Sequence, residues 1–113
     1  MSEGLISYDD FEKVKMRVGR IIEVEEFPKA RKPAYKLFID FGEFGVKTSS
    51  AQLTVHYQKE NLLNRLIVAV TNFPMKQVAG FHSEVLVLGV AAADGGVILL
   101  EVSADVPLGA QVF

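Results

Sequence analysis

Val14-Lys15-Met16-Arg17-Val18-Gly19-Arg20-Ile21-Ile22-Glu23-Val24 reads as a strand with a corner in it. Val14, Met16 and Val18 fall on one face, and Lys15 and Arg17 on the other. That period of two marks a half-buried strand. The alternation breaks at Gly19-Arg20 and resumes at Ile22 and Val24. A glycine at a shift of register predicts a bulge or a sharp bend. Small barrels turn their corners with a long first strand of this kind. Upstream, Ser7 is placed to cap a helix, with Asp10 three residues on and Tyr8 and Phe11 sharing a face. A short helix is expected over residues 8–13.

Downstream, Glu25 to Pro33 holds two prolines and most of a basic cluster, and is read as a loop. Ala34–Phe41 alternates again, with Tyr35, Leu37, Ile39 and Phe41 on one face. Gly42-Glu43-Phe44-Gly45 is a glycine-flanked turn, and Val46–Ser49 begins a third strand. Ser50 to Asn64 is less regular. Ser49 or Ser50 is a candidate cap for a helical turn there, and Lys59–Leu63 for a second. Leu66–Thr71 reads as a buried strand, Asn72–Glu84 as a long loop and Val85–Ala92 as a further strand. Asp94-Gly95-Gly96 then turns tightly into Val97–Val102.

Three strands, a helical linker and two or more strands make an all-β chain. The expected architecture is a five-stranded OB-fold Greek-key barrel with short N-terminal and inter-strand helices, one domain over residues 1–113. Such barrels bind through strands 2–3 and the loops joining strands 1–2 and 4–5. Those loops are here residues 25–33 and 72–84, the two most chemically varied in the chain. An SH3-like barrel has no natural place for the helical segment at 50–64.

Half of the 113 residues are apolar and the mean hydropathy is +0.25. Small domains have much surface for their volume, so some apolar surface is expected to be covered by a second copy. A homodimer is the simplest arrangement; scattered exposed aliphatics are the bland alternative. Cysteine is absent, which excludes disulfides, thiol catalysis and thiolate metal sites. The first ten residues lack the pattern of a secretory leader. No apolar run reaches the roughly 18 residues of a membrane span. A cytoplasmic protein with no membrane insertion is expected. The net charge is −2, against a general affinity for nucleic acid. The charge is segregated, however. Lys29, Arg31, Lys32 and Lys36 cluster without an intervening acid, and no Lys or Arg follows Lys76.

No catalytic set is legible, and no cofactor is expected. His56 and His82 are the only histidines, and a zinc site needs three or four close ligands. Ser83 adjoins His82, but neighbouring side chains on an extended chain point apart, and there is no nucleophile elbow. Phosphate-cradling glycine motifs are absent. What remains is binding chemistry. Arg17, Lys36, Lys47 and Lys76 supply cations. Phe73 and Phe81 supply rings, with Phe81 the better candidate for exposure. Asn72, His82, Ser83, Ser49 and Ser50 supply polar groups beside Met75 and the flexible Gly80. Cations hold phosphate, rings stack on bases and amides read base edges. Alternatively, Phe73, Met75, Val78 and Phe81 line an apolar pocket for polypeptide side chains.

Several segments resemble a known family. These are Lys15-Met16-Arg17-Val18-Gly19-Arg20-Ile21, Lys36–Glu43 ending in Asp-Phe-Gly-Glu, and Asn72-Phe73-Pro74 with Gly80 and Ser83. They look like the tRNA-binding-domain family, OB-type domains appended to methionyl-tRNA synthetases and to the β chain of bacterial phenylalanyl-tRNA synthetase. Ile39–Glu43, Lys47–Gln52 and Val78–Gly89 closely resemble the free-standing CsaA proteins, described as export-related chaperones. The resemblance covers roughly residues 9–113. It implies a homodimeric OB barrel that is not an enzyme and holds unfolded or export-bound polypeptides, with tRNA as the alternative guest. By the same resemblance Asn72, Gly80 and Ser83 match the loop signature, and Lys47 with Ser49-Ser50 the CsaA strand. One departure is that Lys76 is the sole cation of residues 74–77, which reduces the charge offered to RNA.

Overall fold

The computed structural model describes residues 4–113. Helix α1 spans Tyr8–Glu12 and starts on a reciprocal cap. The Asp10 N–H donates to Ser7 Oγ at 3.0 Å, and the Ser7 N–H donates to Asp10 Oδ2 at 3.2 Å. Strand β1 (Met16–Glu26) follows, then β2 (Tyr35–Asp40) and β3 (Val46–Ala51). A single 3-10 turn, Gly42–Phe44, joins β2 to β3. Helix α2 (Lys59–Leu62) precedes β4 (Leu66–Val70). Five short strands complete the chain: β5 (Lys76–Val78), β6 (Phe81–Ser83), β7 (Leu86–Val87), β8 (Gly89–Ala91) and β9 (Val97–Leu99).

The main sheet is antiparallel, with five strands in the order β3-β2-β1-β4-β7. β1 serves two neighbours. Its first half, Met16–Arg20, pairs with Val70–Leu66, and its second half, Arg20–Glu26, pairs with Asp40–Tyr35. The other edge of the first half takes the chain terminus, where the Val18 N–H donates to Ala110 O and the Gly109 N–H to Val18 O. Across the seam, Thr48 O of β3 accepts from the Glu84 and Val85 N–H groups at 2.8 and 3.2 Å. The result is the expected OB architecture, an almost closed five-stranded barrel. Ile21, Leu37, Ile39, Phe41 and Ile67 fill it, all fully buried. Every residue of β4 is buried, as its unbroken apolar run implies.

Several local expectations change. The register shift lies between Ile21 and Glu23, not at Gly19-Arg20, and leaves Ile22 exposed. Gly19 has a different task. A Cβ there would sit 2.5 Å from Ile39 Cγ2 and 2.7 Å from Phe41 Cε1, so the missing side chain is the space these core groups fill. Ser49 and Ser50 are strand residues of β3, and α2 is capped by Gln58 instead. Val85–Ala92 divides after Leu88, because β7 pairs with β4 while β8 pairs with β9. The long loop holds a hairpin, β5–β6, turning at Ala79-Gly80 with φ of 47° and 84°. Two left-handed residues in succession are the mark of a tight hairpin turn.

The β3–α2 linker is tied to the β8–β9 turn by His56 Nε2 and Asp94 Oδ1, 3.0 Å apart. The Gly96 N–H and then His56 hold the Asp94 carboxyl below its ordinary value.

Replacing Gly19 by alanine forces a methyl group into Ile39 and Phe41. The expected cost is about 1–3 kcal/mol, as for other overpacked cores. Urea unfolding with an unchanged slope and a lowered midpoint checks this.

Candidate functional site

The site is built on the outer face of β2 and β3. Leu37, Ile39 and Ser49 point into the barrel and are buried, so alternation turns Lys36, Phe38, Thr48 and Ser50 outward. The β5–β6 hairpin lies against this face and is held by named bonds. Thr48 Oγ1 shares its one hydrogen between His82 O at 2.6 Å and Glu84 Oε1 at 2.9 Å. The Thr48 N–H donates to the same carboxylate oxygen at 3.1 Å. The Ser50 N–H donates to Ser83 Oγ at 3.1 Å.

Phe81 supplies the apolar half of the attachment. Its ring meets Phe27 edge-on at 5.6 Å between centroids and Phe38 at 6.1 Å. Lys36 Nζ stands 5.0 Å from the Phe27 ring centre and 5.3 Å from that of Phe81, within reach of both π faces. Phe27 opens the β1–β2 loop and Phe81 belongs to the hairpin. The two loops therefore meet, as the barrel reading requires.

Two cavities flank the attachment, each of about 420 Å³. Phe73, Pro74, Val85 and Leu86 wall the first, with Lys76, Ser83 and Glu84 at its polar side. Lys29, Arg31 and Lys32 line the second, with Val78 and Ala79 from the hairpin and Gln52 from beyond β3. Ser50 lines both. The first is an apolar recess. The second is cationic and has no acidic residue in its lining.

Residues 16–111 match the family described as "Putative tRNA binding domain". The chain belongs to the tRNA-binding-domain family. It is similar to the crystal structure of the chaperone CsaA from Bacillus anthracis, at 47% identity and a TM-score of 0.92, covering 97% of this chain and 100% of that one. The CsaA chaperone protein from Picrophilus torridus is 51% identical, with a TM-score of 0.89 over 96% and 100%. Among curated relatives, the methionine–tRNA ligase of Pyrococcus abyssi is 42% identical over 112 residues. That match takes in 97% of this chain and 15% of the ligase, so the chain spans a small part of that relative's length.

The structure brings some of the sequence candidates together and removes others. Lys36, Ser50, Phe73, Lys76, Phe81 and Ser83 converge on the cavities or the hairpin mount. Met75 is 48% exposed on the chain entering β5, Gly80 is the open hairpin tip, and His82 pairs with Gln77 at 3.3 Å on the hairpin face opposite Phe81. The two phenylalanines exchange roles. Phe73 is 53% exposed, whereas Phe81 is partly buried among rings.

Arg17 leaves the site. Its guanidinium donates to Gly109 O at 2.8 Å and stacks 3.9 Å from the Phe44 ring centre, at the far end of β1. Asn72 has a structural task. Its Oδ1 accepts from the Lys15 N–H and its Nδ2 donates to Lys13 O, at 3.0 and 2.7 Å. Ser49 is 2% exposed and cannot touch a guest. Lys47, paired with Ile39, lines neither cavity.

Sequence reasoning missed Phe27, Phe38, Thr48, Pro74 and Leu86 at the site. Phe38 carried a signal, an apolar residue out of phase with Leu37 and Ile39 on the strand. Among the described residues no group of three His, Asp or Glu side chains could hold a metal. None of the described helices is long and apolar enough to cross a membrane.

Replacing Thr48 by valine removes the hydroxyl bonds to His82 O and Glu84 while keeping the shape. The expected loss of stability is about 1–2 kcal/mol. Amide exchange is expected to quicken across residues 76–83 and to stay unchanged in β4.

Proposed function

We propose that the chain is a cytoplasmic, non-catalytic binding protein that holds unfolded or export-bound polypeptides, with the apolar cavity between Phe73 and Leu86 as the seat for their side chains. The observation that carries this reading is that half-exposed Phe73 and Leu86 line that recess. A rigid barrel presents apolar surface there that its own core does not cover. The similarity to solved CsaA chaperones supports it. Binding through an apolar recess with few polar anchors tolerates many sequences, which suits a guest defined by being unfolded.

A second reading has its own observation. The cationic cavity, lined by Lys29, Arg31 and Lys32, offers phosphate-binding charge, and the family is described by tRNA binding. Structure-specific tRNA binding is the alternative function.

The homodimer is proposed on a separate surface. Val90, Ile98 and Leu100 are 52%, 37% and 41% exposed. Val90 pairs with Ile98, and the Leu100 N–H donates to Leu88 O, which aligns them along one sheet face. Burying such a stripe against its own copy removes apolar area from water at roughly 25 cal/mol per Å².

A chemically reduced, unfolded client protein is expected to aggregate more slowly in the presence of the chain, measured by light scattering. Replacing Phe73 and Leu86 together by serine abolishes the protection while the unfolding midpoint stays within a few degrees, since both side chains are half exposed. Equal aggregation with and without the unaltered chain overturns the reading. Sedimentation equilibrium is expected to give about twice the 12.4 kDa chain mass, and Val90→Glu to return it to the single value.

A further inference from the structure

We infer that the apolar and cationic cavities are two arms of one groove, and that RNA in the cationic arm excludes a polypeptide from the apolar arm. This rests on the proposed function, because it assigns regulation to the same site. Three observations carry it. Ser50 lines both cavities, so the two share a wall residue of β3. A single strand of the hairpin, β5, contributes Lys76 to the apolar arm and Val78 to the cationic arm. Lys76 pairs with Ser83 and Val78 with Phe81, so by alternation these two side chains share one hairpin face, the face applied to the barrel. The two recesses therefore lie along the same side of the hairpin, one at its base and one toward its tip.

Neither guest is small enough to keep to one arm. An extended polypeptide advances about 3.3 Å per residue. A side chain seated against Phe73 and Leu86 brings its flanking residues within reach of Ser50, which walls the same recess. A cavity of about 420 Å³ holds little more than one nucleotide, so the next unit of an RNA strand lies over the same residue. Charge makes the exchange lopsided. Lys29, Arg31 and Lys32 attract a polyanion, and Glu84, the acid of the apolar arm, is occupied by two bonds from Thr48. RNA is thus the salt-sensitive competitor and polypeptide the salt-tolerant one. Neutralising three phosphates of a single strand gives a log–log salt slope of about −2, an affinity loss of roughly tenfold to twentyfold between 50 and 200 mM salt.

The experiment uses the full chain, a fluorescein-labelled tRNA and a differently labelled, reduced and carboxymethylated α-lactalbumin. Anisotropy is read for each label while the other guest is added. Each guest is expected to displace the other, with an apparent Kd that rises in proportion to competitor concentration. Raising salt to 200 mM is expected to restore polypeptide binding in the presence of tRNA. Ser50→Phe, at the junction, is expected to weaken both guests at least tenfold with an unchanged circular dichroism spectrum. A joint Lys29→Glu and Lys32→Glu exchange is expected to weaken tRNA alone. A complex holding both guests overturns the inference. So does the absence of tRNA binding at 50 mM salt while polypeptide still binds, which leaves the proposed function standing. If poly-glutamate at equal charge displaces polypeptide as well as tRNA does, the assignment of the cationic arm to RNA is overturned. If the polypeptide fails to bind even without competitor, the proposed function itself falls.

Discussion

Thr48 is the residue on which the arrangement turns. Its carbonyl closes the barrel seam by accepting from the Glu84 and Val85 N–H groups. Its N–H and hydroxyl hold the Glu84 carboxylate, and the hydroxyl also holds His82 O. One β3 residue thus fixes both the cylinder and the hairpin that stands on it. The hairpin has only three residues in each strand, too few to persist alone in water. Without this mount the walls contributed by Lys76, Val78 and Ser83 would have no defined position. The chemistry of the site is accordingly that of a rigid, shaped surface.

The aromatic contact works alongside these bonds. Phe27, Phe38 and Phe81 come from three separated parts of the chain and meet with edge-on geometry, the arrangement that ring quadrupoles favour. Lys36 covers two of them while sitting next to the cationic loop. Its aliphatic stem can shield the rings while the ammonium remains near solvent. The β1–β2 loop is therefore positioned by packing at Phe27, even though its charged members are exposed.

Much of this was legible from residue order. The alternation of Ala34–Phe41 and the unbroken apolar run of Leu66–Thr71 gave the right faces, because burial on a barrel obeys strand periodicity directly. The convergence of residues 25–33 and 72–84 followed from barrel topology. Failures had local causes. A lone glycine signals both bends and close approaches, and only the positions of Ile39 and Phe41 show that Gly19 serves the second. The β5–β6 hairpin was hidden because Ala79 adopts a left-handed conformation that its residue type rarely takes. Arg17 and Asn72 looked like binding groups, yet their partners, Gly109 O and the Lys13 and Lys15 backbone, lie far off in the sequence. Side-chain to backbone bonds over such separations leave no trace in composition or spacing.

The pairing of Val18 with Ala110 has a consequence for folding. The first half of β1 is bordered by residues that lie far along the sequence from it. Until the two meet, that edge has unmet donors and acceptors, the situation in which strands recruit foreign chains. The barrel can close only once residues 109–112 have docked, and contacts so distant in sequence slow folding. Before that late docking, the barrel is thus an incomplete sheet.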